Sequence, residues 1–162
     1  MSSFKIIFFV SLVILPGCLS SLLKEPAPTF ANELILPKPP VAFIAQNNSA
    51  FPSWKNKNTS NVISVLSECT VQDTNLKTTH ALITNAIENE IVLEEKKINL
   101  KNTTRYFRKV SGQVDGQPIE IQSTSFKYKN CFYLSSLSGQ HEKIDSDLKN
   151  WNEFNQNIEF KK

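Results

Sequence analysis

The chain has 162 residues, 18 Lys and Arg against 15 Asp and Glu, and a formal net charge of +3. The charges are interspersed, so nothing in the composition asks for nucleic acid as a partner. Four scattered glycines exclude a glycine-rich phosphate loop, and two distant histidines exclude the familiar spaced metal motifs.

Residues 1–17 read as an export signal. Lys5 supplies a small positive start, and Ile6 to Leu15 is an apolar run interrupted only by Ser11. That run is too short to span about 30 Å of hydrocarbon as a helix, so it is a signal rather than a permanent anchor. Leu15-Pro16-Gly17-Cys18 resembles a bacterial lipobox, in which cleavage leaves a lipid-bearing cysteine. Lipidation is therefore expected at Cys18, with palmitate-type acyl chains. Several chains hold a protein on a membrane stably where one does not. No Asp follows Cys18, which by the enterobacterial sorting rule points to the outer rather than the inner membrane.

Residues 18–50 read as a Pro-rich tether. Pro26, Pro28, Pro37, Pro39 and Pro40 lie within it and Pro52 just beyond. Each proline removes a backbone donor and fixes φ, which rules out a regular helix or a central strand. Leu34-Ile35-Leu36 and Val41-Ala42-Phe43-Ile44 are apolar enough to dock on the domain or on a partner.

The domain is expected over residues 51–162. Asn61 to Cys69 reads as a strand with apolar residues on both faces, hence a central one. Asp73 and Thr74 offer caps for a helix reaching Asn89, with Leu76, Thr79 or His80, Ile83 and Ala86-Ile87 on one stripe. Glu90 to Leu100 is a strand whose charged centre, Glu94 to Lys97, suits a sheet edge. After a turn at Asn102-Thr103 comes a meander from Thr104 to Gly139. Its turns are Asp115-Gly116, the strongest short hairpin signal, and Lys129-Asn130. Gly112 within a strand predicts a bulge or close packing by a helix, and Pro118 sits at a strand start where its missing donor does little harm. Asp145 or Ser146 is expected to cap a last helix carrying Leu148, Trp151 and Phe154, followed by a short strand with Ile158 and Phe160. Antiparallel strands and helices without strict alternation make the class α+β: an antiparallel β-sheet with helices packed on it.

Four stretches carry a resemblance: Val62 to Cys69; Val110 to Ile119; Lys129 to Leu134; and Trp151-Asn152-Glu153-Phe154. Together they resemble small bacterial envelope lipoproteins of the Mog1/PsbP-like group, over about residues 54–161. The resemblance implies an α/β/α sandwich around an antiparallel sheet. It implies no single activity, because members of the group serve different tasks.

Cys69 and Cys131 are the cysteines left after Cys18. In an exported protein such a pair reads as a disulfide, here joining the end of one strand to the start of another. No Cys-x-x-Cys, no metal-ligand spacing and no Gly-x-Ser-x-Gly elbow is present, so no catalytic residue, metal or cofactor is assigned. Tyr106, Phe107, Phe126, Tyr128, Phe132 and Tyr133 interleave with Arg105, Arg108, Lys109, Lys127 and Lys129. The residue pattern allows a binding face there for an anionic ligand or a partner, but half-core, half-solvated strands explain it without any ligand, and that reading is the favoured one. The expected function is a lipid-anchored, non-enzymatic binding or scaffolding module facing the periplasm. It would sit on the membrane through lipid on Cys18 and meet an envelope protein partner. The alternative is a small-ligand or lipid-binding carrier using a cavity between sheet and helix.

Overall fold

The computed structural model describes residues 33–69, 75–100 and 103–161. The signal segment, Cys18, the cap residues Asp73 and Thr74, and Asn102 lie outside the described residues.

Nine strands are described: β1 Leu34–Ile35, β2 Phe43–Ala45, β3 Ser53–Asn56, β4 Val62–Cys69, β5 Glu88–Leu100, β6 Thr103–Val114, β7 Gln117–Tyr128, β8 Cys131–Gly139 and β9 Glu159–Phe160. Two α-helices join them, α1 Ala81–Thr84 and α2 Leu148–Gln156, each entered through a 3₁₀ turn, Thr78–His80 and Ile144–Asp147. Seven strands form one antiparallel sheet in the order β2-β3-β4-β8-β7-β6-β5, and β1 pairs with β9 apart from it.

The meander is present as expected. Asp115 and Gly116 both take positive φ, 51° and 72°, which is what a tight right-twisted hairpin demands of its two central residues. The second turn places Lys129 at φ 51°. β4 lies inside the sheet between β3 and β8. Its Ile63 and Val65 are fully buried on one face, while Val62, Ser64 and Leu66 are half-buried on the other. β5 is an outer strand, as its charged centre predicted. It carries register shifts between Glu88 and Ile91 and between Val92 and Glu94. Irregularity and charge together discourage pairing with another chain.

Two expectations about helices change. The helix expected up to Asn89 is instead the 3₁₀ turn and the single turn of α1, ending at Thr84. Thr78, Thr79, Ile83, Thr84 and Ile87 are β-branched and Asn85 favours turns, so the segment has little intrinsic reason to extend as a helix. The cap of α2 also moves: Asp147, not Asp145 or Ser146, occupies the N-cap position, and it makes no side-chain bond to the helix backbone. Trp151 and Phe154 are buried and Leu148 half-buried, the stripe read from the sequence.

The core lies between α2 and one face of the sheet. Ile63, Val65, Phe126, Tyr133, Leu137, Ile144, Trp151, Phe154 and Ile158 meet there. Leu34 and Phe43 join them at 7% and 5% exposure. This corrects the tether boundary: β1 and β2 fall inside the stretch 18–50, so from Leu34 onward that stretch belongs to the folded unit. The prolines keep their expected effect, since Leu36 to Pro40 carries no regular secondary structure.

Cys69 and Cys131 face each other as the last pair of the β4–β8 ladder and are joined by a disulfide, with Cα atoms 4.1 Å apart.

Candidate ligand-binding groove

Among the described residues, the face of the sheet opposite α2 is covered only in part, by the short segment around α1. Alternation decides what points there. Ser64 of β4 is opposite Ser136 of β8, and Val62 is opposite Ser138. Ser136 is in turn opposite Ser123 of β7, and Ser138 opposite Ile121. A strip of small hydroxyl side chains therefore runs across the middle of this face.

Polar contacts hold the α1 segment over the strip. Ser125 Oγ donates to the Leu76 carbonyl at 2.7 Å. His80 Nδ1 lies 2.6 Å from Ser123 Oγ, a hydrogen bond whose direction follows the imidazole tautomer. The His80 ring stands edge-on to Tyr106, centroids 5.5 Å apart. His80 is fully buried, and burial, helped by the nearby Arg108 charge, pushes its pKa down to about 4, so the ring is neutral at physiological pH. Arg108 is answered by Glu90 and Glu95, and Tyr106 Oη donates to Glu95 at 2.7 Å. At the far end of the segment Ile87 lies against Gly112. A Cβ on Gly112 would stand 2.3 Å from Ile87 Cγ2 and 2.7 Å from the Glu88 carbonyl. Gly112 is thus closely packed, but by the residue before β5 and the first backbone of β5 rather than by a helix.

Between the segment and the sheet a groove of about 290 Å³ stays open. Leu82, Ile83, Ala86 and Ile87 form one wall, and Val114, Ile119 and Ile121 another. Ser64, Ser136 and Ser138 form the floor, with Phe51 at the rim. Every lining residue among the described ones is apolar or a serine, so they bring no formal charge to the groove. None of the three floor hydroxyls has a side-chain hydrogen bond among the described residues.

The other face carries a separate polar cluster. Glu120, 1% exposed, holds Lys109 Nζ at 2.9 Å and His141 Nδ1 at 2.9 Å, and accepts from Gln122 Nε2 at 3.1 Å. The two histidines therefore lie on opposite faces of the sheet. No three His, Cys, Asp or Glu side chains gather in metal-binding geometry among the described residues. Ser123 and His80 come nearest to a nucleophile and base, but Ser123 is 2% exposed and does not line the groove.

The interleaved aromatic and basic residues are largely engaged with one another. Phe126, Tyr133 and Phe107 pack in or against the core. Arg105 lies over Phe126 at 4.5 Å, Lys127 over Phe132 at 5.0 Å and Lys129 over Tyr128 at 5.4 Å. The structure does not gather them into one exposed face. The groove serines went unassigned at the sequence level, although the alternation in Ser136-Leu137-Ser138 and in Ile63-Ser64-Val65 already set them apart from the core face.

No protein-family model matches this chain, and no curated protein does. Solved structures do match. Mycobacterium tuberculosis LpqN, involved in cell envelope biogenesis, is 8% identical with a TM-score of 0.57, covering 80% of this chain and 83% of its own. The cyanobacterial PsbP (CyanoP) of Synechocystis is 8% identical with a TM-score of 0.53, covering 82% and 84%. A Pseudomonas aeruginosa protein of unknown function is 11% identical with a TM-score of 0.53, covering 82% and 87%. At such identities the likeness is one of fold, and the fold of this chain is PsbP-like: an α+β sandwich in which helices pack on an antiparallel sheet.

Proposed function

We propose that this protein is a lipid-anchored, non-enzymatic binding module of the bacterial cell envelope, facing the periplasm. The observation that carries the reading is the Cys69–Cys131 disulfide in a chain that opens on an export signal and a lipobox. Disulfides form and persist in oxidising compartments such as the periplasm. No helix among the described residues is long and apolar enough to cross a membrane. In this reading attachment is through lipid on Cys18. LpqN, which shares the fold, is involved in cell envelope biogenesis, and that supports an envelope role here. The absence of Asp after Cys18 favours the outer membrane.

The groove favours a second reading, in which the bound partner is a small molecule and the protein a carrier. An apolar concavity with a few convergent polar groups is the usual form of a small-molecule site.

The intact mass of protein extracted from membranes, with and without reduction and alkylation, tests the anchor. The expected mass begins at an acylated Cys18, with two thiols appearing only on reduction. A Cys18→Ser chain should leave the membrane fraction while keeping its fold. A chain that stays fully membrane-bound after this change removes the lipobox reading.

A further inference from the structure

We infer that the groove under α1 binds a small uncharged amphiphile: one short alkyl chain bearing a neutral oxygen function such as an ester or alcohol. This deepens the carrier reading and rests on it.

Three features select that chemistry. The walls are aliphatic, with Leu82, Ile83, Ile87, Ile119 and Ile121 among them, and Leu82 is 47% exposed at the mouth. Aliphatic walls favour an alkyl chain. The volume of about 290 Å³ stands at the low end of the roughly 300–1,000 Å³ usual for small-molecule pockets, which suits one short chain and not a diacyl lipid.

The floor decides the head group. Ser136 is only 3% exposed, yet its hydroxyl lines the groove without a side-chain hydrogen bond among the described residues. The hydroxyl opens on the groove, where water meets it when no ligand is bound, and a ligand oxygen can take that water's place. Ser64 lies directly opposite Ser136 on the neighbouring strand, and Ser138 is two residues further along the same face. Cross-strand neighbours sit about 5 Å apart and next-but-one residues about 7 Å apart. A serine hydroxyl both donates and accepts, so the strip can meet a carbonyl and a hydroxyl on one ligand.

The same lining selects against ions. No Lys, Arg or His among the described residues lines the groove, so a carboxylate or phosphate entering it would lose its hydration without gaining a counter-charge from them. The nearby Arg108 is already held by Glu90 and Glu95.

The test uses the full chain carrying Cys18→Ser and ¹H–¹⁵N spectra titrated with methyl 3-hydroxyoctanoate. Sodium octanoate serves as the charged competitor. The ester is expected to shift the amides of Ser64, Leu82, Ser136 and Ser138 and to saturate, and octanoate to bind at least tenfold more weakly. Ser136→Ala and, separately, Ser64→Ala should each weaken the ester severalfold without altering the rest of the spectrum. Ala86→Phe, at an exposed position on the groove wall, should block it. Equal affinity for octanoate, shifts confined to other parts of the sheet, unaltered binding by both serine variants, or no binding at millimolar ester would each overturn the inference. The mass of Cys18 is read independently, so a lipidated protein that ignores the ester loses only the groove assignment.

Discussion

Asp147 ties the start of the C-terminal helix to the end of β3 and the β3–β4 connection. Its carboxylate accepts from Asn56 Nδ2 at 2.8 Å, Thr59 Oγ1 at 2.6 Å and Asn61 Nδ2 at 2.8 Å. Asp147, Asn56 and Asn61 are 2%, 3% and 0% exposed, so neither Asn donor can turn to water if the acceptor goes. Asp147→Ala is therefore expected to cost about 3 kcal/mol or more, read from urea unfolding. A loss below about 1 kcal/mol would mean that the donors find other partners. His80 makes the second prediction at this scale. Its folded pKa of about 4 lies below the ordinary 6.5, so between those values the unfolded chain holds a proton that the folded chain refuses. Its contribution is complete above pH 6.5 and is lost as the pH falls to about 4, for a total of about 3 kcal/mol. His80→Gln should flatten the stability profile between pH 6.5 and 5 relative to the parent chain. Parallel profiles would show that His80 titrates alike in both states. Neither role could be read from the sequence. His80 fell on the expected apolar stripe, but Ser123, the residue that receives it, is 43 positions away.

At the scale of elements, the contact of Gly112 with the start of β5 fixes where the α1 segment ends. Gly112→Ala would drive a Cβ into Ile87 Cγ2 and, less forgivingly, toward the Glu88 backbone carbonyl. The expected penalty is about 1–3 kcal/mol, as for overpacking in general, with the largest amide shifts around Ile83 to Ile91. Shifts confined to the β6–β7 hairpin would instead mark Gly112 as a local strand effect. The disulfide acts on a different pair of elements. It closes a loop of 62 residues between β4 and β8, worth about 4 kcal/mol in the chain-entropy account, so Cys69→Ala should lower stability markedly while leaving the proposed attachment through Cys18 unaffected. An unchanged unfolding midpoint would remove the staple role. Elements were most legible where local chemistry alone sets them. Asp115-Gly116 dictates a hairpin whatever surrounds it, and a charged Glu94 to Lys97 suits only an outer strand. The α1 segment was misjudged in length because its period fitted a helix, while its β-branched residues and the Gly112 contact, which periodicity does not see, ended it early. The groove beneath it was legible only as a general location between sheet and helix. Which serines floor it depends on the β4–β8–β7 register, and that is set by pairings far apart in the chain.

For the whole molecule, the question is where the domain begins. A reading by composition puts the boundary near Phe51, because prolines upstream rule out a central strand. They do not rule out short outer strands. β2 adds to β3 through the pairs Phe43 with Asn56 and Ala45 with Trp54. β1 pairs with β9, placing Leu34 opposite Phe160. Phe160 in turn stacks on Tyr128 at 3.9 Å and stands edge-on to Phe126 and Tyr133, so the two ends of the described chain meet over the aromatic side of the core. Lys129 reaches Glu33 at 3.0 Å beside them. A chain starting at residue 51 would lose the burial of Leu34 and Phe43, each worth roughly 1.5–3 kcal/mol, and would leave β3 as a bare edge. It is expected to unfold several degrees below a chain starting at residue 33 and to bind an apolar dye more strongly. Equal midpoints for the two chains would restore the whole of residues 18–50 to the role of a spacer. Under the proposed lipidation of Cys18, the expected difference leaves at most residues 19–32 to act as a spacer, a reach of at most about 50 Å when fully extended. A module held that close to the proposed anchor would sample ligands in or next to the membrane, the place where a groove for a short neutral amphiphile would find them.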